Sequence, residues 1–333
     1  MMAAIDIHKS VFQAAELDPA TGELAEQRFP ASPQALADWA KQRRGRLAAV
    51  AVEATTGWRW VVASLQAHGF EVRLVDPGQA SALQGRRRRP KTDRLDARWL
   101  VQLLARDMAP ASWLPPEEIQ RLRDQTRLRK SLGDERRRWA QRLHALLVQE
   151  GWSCRRGRLL TGQGRRWVES LRLHPLARAH ADVALAMIAA CEAQLAPLER
   201  ELNRFARADR RCQALMQLYG VGPIIACHLL AEIGQACRFR RPRQLVRAAG
   251  LDPVVDESAD TRRRGRLAKA GSPYLRFALV EAAQHARRSG SPDHARYLRL
   301  RQRLGASRAK LPIARLIAHR AYHQLRRLEL EAA

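Results

Sequence analysis

Short apolar runs separated by polar turns open the chain. Ala3 to His8, Val11 to Leu17 and Glu23 to Phe29 predict three successive strands, and Asp18-Pro-Ala-Thr-Gly22 supplies turn chemistry between the second and third. The period then lengthens: Pro33 to Gln42 predicts a helix, Leu47 to Glu53 a buried β-rich run, Trp58 to His68 a helix and Glu71 to Val75 a strand. The order βββαβαβ, with a helix to follow, predicts a mixed sheet flanked by helices.

Gly85 to Lys91 interrupts this pattern with Arg86, Arg87, Arg88, Arg89, Pro90 and Lys91, and a helix is expected from about Thr92 to Arg106. From Pro115 the pattern turns helical: Ile119, Leu122, Leu132, Trp139, Leu143 and Leu146 punctuate an Arg-rich arm ending near Gly151. A second arm is marked by Ala184, Ile188, Cys191, Leu195, Leu198, Leu202 and Phe205, the four-three spacing of a coiled-coil seam, with Pro197 expected to kink it. The Gly- and Arg-rich stretch from Cys154 to Arg166 between the arms is expected to be a linker or loop. From Arg211 a helix, a Gly-Val-Gly-Pro turn and a further helix begin an all-α region. Three parts are therefore expected: 1–110, an α/β domain; 111–210, helical arms; and 211–333, a helical domain.

Charge narrows the possible partners. Lys and Arg total 60 against 33 Asp and Glu, a formal charge of +27 over 333 residues, which repels itself unless a polyanion neutralises it. Arginine predominates, and its planar fork suits phosphate oxygens. Nucleic acid is the expected partner. No uninterrupted apolar run of 18 residues or signal-peptide pattern is visible, so a cytoplasmic, nucleoid-associated prokaryotic protein is expected, with no membrane partner. Cys154, Cys191, Cys212, Cys227 and Cys237 show no Cys-x-x-Cys spacing and are expected to be buried thiols.

Four acids stand out within the α/β part. Asp6 and Glu53 close two apolar strand runs and are expected near the sheet edge, while Asp93 and Asp96, three apart, share one helical face. Gathering four carboxylates without a cation costs several kcal/mol through like-charge repulsion, so the set points to Mg2+ or Mn2+. Two ions about 4 Å apart would clamp the attacking and leaving oxygens of a phosphodiester. The strand order is the one used by RNase H-like nucleases.

The residues around these acids resemble a known family. Ile5-Asp6-Ile7-His8-Lys9, Val52-Glu53-Ala54-Thr55-Thr56-Gly57 and Lys91-Thr92-Asp93-Arg94-Leu95-Asp96-Ala97 are similar to the three motifs of DEDD-type transposases of the insertion-sequence one-ten family, with one extra Thr before the Gly of the second. The resemblance implies a RuvC-like domain in which Asp6, Glu53, Asp93 and Asp96 bind metal. Ala249-Gly-Leu-Asp-Pro253, Asp256-Glu-Ser258, Gly265-Arg-Leu-Ala-Lys-Ala-Gly271 and Tyr274-Leu-Arg276 resemble the family's second domain. This implies that Ser258, here followed by Ala259 where the family usually has Gly, is a nucleophile forming a phosphoserine intermediate. Ser258 lies in an expected polar loop; Ser272 is the rival, with the setting of a helix N-cap before Pro273. Leu218 to Ala226 resembles a helix-hairpin-helix, in which Gly220 and Gly222 would let backbone amides approach phosphates, or would simply join two core helices. Arg262, Arg263, Arg264, Arg266 and Lys269 are candidates to neutralise phosphate near the serine.

The implied activity is that of an insertion-sequence transposase or recombinase acting on donor and target DNA, directed by a noncoding guide RNA held along the Arg-rich arms. The heptad-like seam suggests a homodimer or tetramer. Two other readings use the same residues: a junction-resolving nuclease using the carboxylates and water, and a noncatalytic nucleic-acid-binding protein.

Overall fold

Alternation within the first strand sets the two faces of the sheet. In the computed structural model, which describes residues 1–84, 93–258 and 261–332, β1 (Met2–Ile7) pairs antiparallel with β2 (Val11–Leu17), which pairs antiparallel with β3 (Leu24–Pro30). After α1 (Pro33–Arg43), β4 (Ala49–Glu53) lies parallel to β1, and after α2 (Trp58–Ala67), β5 (Glu71–Val75) lies parallel to β4. The order is β3-β2-β1-β4-β5, a mixed five-stranded sheet. α3 (Pro77–Leu83) and α4 (Asp93–Ala105) follow.

Ala3, Ile5, Phe12, Val50 and Val52 face one way and are buried with Leu36 and Trp39 of α1 and Val61 and Leu65 of α2. Ala4, Ala15, Ala49 and Ala51 face the other way, beneath Ala97, Leu100, Val101 and Leu104 of α4. Small side chains on this second face let α4 settle close to the strands. These elements form one compact unit, Met1–Leu114, and Pro115–Ala333 forms a second.

The second unit is mostly helical. α5 (Glu117–Gln149), α6 (Gly162–Ser170) and α7 (Pro175–Ala208) precede α8 (Arg210–Met216), α9 (Pro223–Ile233) and α10 (Pro242–Ala248). A hairpin of β6 (Pro253–Ser258) and β7 (Thr261–Leu267) leads to α11 (Pro273–Ala283) and α12 (His294–Glu331). The hairpin corrects the expectation of an all-α C-terminal region.

α5 and α7 lie side by side. Ala184, Ile188, Cys191, Leu195 and Leu202 are buried along their seam, and Arg129–Glu199 and Arg136–Glu192 bridge the two helices at 2.6 and 3.5 Å. The seam expected to join copies is thus filled by α5 of the same chain. α7 is long and apolar enough to span a membrane by length and composition, yet it carries these ion pairs. Pro197 lies inside this helix, which continues past it to Ala208.

The stretch from Cys154 to Arg166 is not a loop either. A 3-10 turn at Arg156–Leu160 and α6 bury Leu159 and Val168 against Leu143, Leu147 and Ile188 of the arms. Among the cysteines, Cys191, Cys212 and Cys227 are buried, Cys154 is half-buried and Cys237 is exposed, so the expectation of burial fails for the last two.

α9 is buried on every side from Ala226 to Ile233, and its C-terminal carbonyls are capped by arginines. Arg123 Nε donates to Ala231 O at 2.7 Å, and Arg238 Nε donates to Ile233 O at 2.9 Å. These guanidiniums satisfy carbonyls that a helix end leaves without intrahelical partners.

Candidate carboxylate centre and serine hairpin

Register brings Asp6 and Glu53 together. Ile5 is opposite Val52 in the parallel pair β1–β4, so the next residues, Asp6 and Glu53, close neighbouring strands at their C-terminal ends. Alternation from Ala4 and Ala51 directs both to the sheet face that α4 covers. β1 and β4 are interior strands, which corrects the expected placement near the sheet edge. Asp6 is only 5% exposed and accepts a hydrogen bond from His8 Nε2 at 3.0 Å.

α4 contributes the remaining acids from its start. Asp93 is its first residue and Asp96 lies three further on, while Ala97 and Leu100, four beyond each, are buried against the sheet. The helical repeat of 3.6 therefore puts both positions on the sheet-facing side of the first turn. Strand alternation and helix phase converge on one face.

Beyond Glu53 the chain turns through Gly57, whose φ of 94° favours glycine, into α2. Thr55 Oγ1 is buried there without a hydrogen-bond partner. The donors fit a hard divalent ion in kind: carboxylate oxygens of Asp6 and Glu53 at adjacent strand ends, the first deeply buried. Among the described residues, no three Asp, Glu, His or Cys side chains form a ready-made metal cage.

In the second unit the serine hairpin stands on a clamped base. Ser258 is the last residue of β6 and pairs with Thr261 of β7, so it occupies a strand end instead of the expected loop. Arg262, Arg263, Arg264 and Arg266 are positions of β7. Below them Ala268 N donates to Asp252 O, Lys269 N to Gly250 O and Ser272 N to Ala248 O, at 2.9, 3.2 and 2.7 Å. Two glycines make this closeness possible: a Cβ on Gly271 would collide with Ala248 O, and one on Gly250 would meet Lys269 C at 2.8 Å. The Ala249-Gly-Leu-Asp-Pro253 and Gly265-to-Gly271 motifs thus form two sides of one clamp.

Ser272 belongs to that base. Its Oγ accepts from Leu275 N at 3.2 Å as the N-cap of α11 and donates to Glu232 Oε2 at 2.7 Å. Glu232 is buried on α9 and also accepts from Arg127 Nε of α5 at 2.9 Å. Sequence reading missed Glu232, because a lone Glu in an apolar helix carries no spacing signal. It missed His228 as well, one turn earlier, which is fully buried with neither ring nitrogen hydrogen-bonded. Burial, reinforced by the charge of Arg129, pushes the His228 imidazole down to about 4.

The Gly-Val-Gly-Pro turn joins α8 and α9. Gly220, at φ 86°, packs so tightly on α11 that a Cβ would lie 2.5 Å from Ala282 O, whereas Gly222 at the α9 N-terminus has open space around it. Core packing accounts for the first glycine. Arg86, Arg87, Arg88, Arg89 and Lys91 lie outside the described residues.

A mixed sheet with acids at adjacent strand ends, followed by a mostly helical region, is consistent with an RNase H-like DEDD domain joined to a second domain. Comparison with known proteins agrees: residues 3–151 match a DEDD transposase model and residues 212–299 match the model described as transposase, IS116/IS110/IS902 family. The chain is 33% identical to "Putative transposase y4rJ" of Sinorhizobium fredii over 273 residues, covering 73% of this chain and 67% of that protein. It is 32% identical to "Putative transposase y4qE" of the same organism, covering 65% of this chain and 52% of that one, so it spans about half of that relative's length. A transposase for insertion sequence element IS1328 of Yersinia enterocolitica is 25% identical, with 71% of this chain and 70% of that protein covered. The chain belongs to the IS110 family of transposases.

Proposed function

We propose that the protein cuts and rejoins DNA as an insertion-sequence transposase, using Asp6, Glu53, Asp93 and Asp96 to hold divalent metal and Ser258 as the nucleophile. The observation carrying this reading is the convergence of β1–β4 register and α4 phase on one carboxylate-bearing face, in a chain of net charge +27. Mg2+ or Mn2+ there would supply Lewis-acid polarisation of a phosphodiester. Asp6, held by His8, and Glu53 would fix the scissile phosphate's orientation through that ion. Ser258 Oγ would attack phosphorus, releasing a DNA hydroxyl and leaving a phosphoserine; attack by a second DNA hydroxyl would restore the serine and join new ends. Conserving the phosphodiester in this way needs no ATP.

Ser258 is preferred to Ser272 because the latter's hydroxyl is engaged as both helix cap and partner of Glu232. The division of labour is read as 1–110 for the metal site, 111–210 for the arms and 211–333 for the serine domain. Donor and target DNA are the substrates, a structured noncoding RNA is a further partner, and Arg262, Arg263, Arg264, Arg266 and Lys269 assist phosphate binding. The test is a denaturing gel of protein incubated with Mg2+ and duplex DNA bearing ends of its element. A covalent adduct lost in Ser258→Ala supports the reading. Cleavage that persists in Ser258→Ala without an adduct turns it into a hydrolytic nuclease.

A further inference from the structure

The last helix changes character at one residue. α12 is non-helical at Gly305, with φ 77° and ψ 161°, a conformation that glycine adopts without a Cβ penalty. Beyond this point Ala309, Ile313, Ile317, Ala321 and Leu325 recur every fourth residue and are buried. Before it, from His294 to Leu304, Tyr297 is the one buried residue. Packing explains the second part of the helix and not the first.

Charge is distributed in the same uneven way. Arg296, Arg299, Arg301 and Arg303, with Arg308 just past the kink, are all exposed, and none forms an ion pair among the described residues. The acid nearest in sequence, Asp293, is engaged by both terminal nitrogens of Arg320, at 2.5 and 2.9 Å. Elsewhere in the second unit some arginines are matched, Arg129 and Arg136 of α5 and Arg165 of α6 to Glu199 and Glu192 of α7, while Arg200, Arg204 and Arg207 near the end of α7 are exposed without an ion pair among the described residues. An uncompensated row on an exposed helix is costly in self-repulsion unless an anion of matching length lies along it. Arg296, Arg299 and Arg303 follow three-four spacing on one stripe, spanning about 10 Å at 1.5 Å per residue.

We propose that His294–Leu304 is a DNA-binding helix whose row Arg296, Arg299 and Arg303 lies along the phosphates of one strand, with Gly305 marking the break between it and the packed part of α12. Contact is with the phosphodiester backbone and independent of base sequence. The proposal rests on the transposase reading only for the identity of the polyanion. The occupant is duplex DNA, the substrate that membership of a transposase family implies, and an RNA stem-loop is the alternative that the experiment excludes or reveals.

The test is fluorescence anisotropy of the full chain with a labelled DNA duplex and, separately, a labelled RNA stem-loop, in EDTA across a salt series. The R296Q/R299Q/R303Q variant is expected to flatten the dependence of log K on log salt by about 2.7 with duplex DNA, roughly 0.9 for each phosphate that is no longer neutralised. Flattening confined to the RNA probe overturns the assignment of DNA as the occupant. R296K/R299K/R303K should retain the slope, because charge is the operative property. An unchanged slope with both probes, in a variant melting like the parent, overturns the proposal. If the triple variant melts early, Arg299→Gln and Arg303→Gln singly carry the reading, each lowering the slope by about 0.9, and no change in either overturns it. Binding in EDTA proceeds without metal-dependent chemistry, and adduct formation is read separately, so failure of the catalytic reading is distinguishable from failure of this one.

Discussion

In the first unit, Asp6 and Glu53 owe their positions to the register of two parallel strands, and α4 brings the Asp93 and Asp96 positions to the same face by helical phase. In the second, Ser258 ends a strand of a two-stranded hairpin, and its placement depends on a base where Gly250, Gly271 and Ser272 interlock with the end of α10. Register within a packed sheet is over-determined, since every neighbouring side chain would change face if it slipped. A two-stranded hairpin has no such redundancy and needs support at its base. Substitutions near the two candidate centres should therefore behave differently. Those at the carboxylates should remove chemistry and spare the fold, while those at the hairpin base should disturb the fold first.

The largest effect expected is on chemistry. Asp6→Asn should lower the rate of Mg2+-dependent strand cleavage by at least on the order of 10²-fold with the melting temperature little changed, and EDTA should reproduce the loss in the parent. Coincident loss of cleavage and of folding would remove the contrast between the two units. At the hairpin base, Gly271→Ala should cost about 2–3 kcal/mol in denaturant unfolding, because its Cβ would enter the space of Ala248 O at a φ of 137°. Full stability in that variant would show that the base is not a clamp.

His228 contributes a pH dependence confined to the second unit. Its imidazole titrates near 4 when folded against 6.5 ordinarily, so between these values the unfolded chain binds the additional proton. Stability is therefore greatest above about pH 6.5 and falls as pH drops towards 4, by up to about 3 kcal/mol from this group. His228→Leu should flatten that decline in thermal melts recorded from pH 7 to pH 4. A decline identical to that of the parent would contradict the assignment. The smallest effect separates the two serines: Ser272→Ala should cost about 1 kcal/mol as a lost N-cap yet still form adduct, whereas Ser258→Ala should keep its stability and form none.

Strand periodicity made most of the first unit readable. β2 and β5 fall on the expected residues, and β1, β3 and β4 within two of them, because half-buried and fully buried strands carry distinct patterns. Which strands would be interior was not readable, because pairing order depends on residues distant in sequence. The hairpin was hidden for another reason: Thr261 to Leu267 reads Thr-Arg-Arg-Arg-Gly-Arg-Leu, without apolar alternation. The buried roles of Leu159 and Val168 were obscured by the Gly- and Arg-rich composition around them. Glu232 became visible only once α5, α9 and α11 were seen to meet at Arg127 and Ser272.

Arginine is put to two uses in the second unit. Arg123, Arg127 and Arg238 are spent within the fold, on α9 carbonyls and on Glu232, and burial, with Arg123 nearby, lowers Arg238 to about 10, still charged near neutral pH. Arg296, Arg299 and Arg303 have no such internal task. Composition alone does not distinguish these groups, although one stabilises the protein and the other is available to a partner.

The proposed chemistry has a protein hydroxyl, and not water, attack the DNA phosphate. Its most direct test is mass spectrometry of the peptide that remains attached to DNA after incubation with Mg2+ and proteolysis. A phosphodiester-linked nucleotide on Ser258, present in the parent and absent in Asp6→Asn, is the predicted result. Cleaved DNA with no attached peptide, or a link to any other residue, would contradict it.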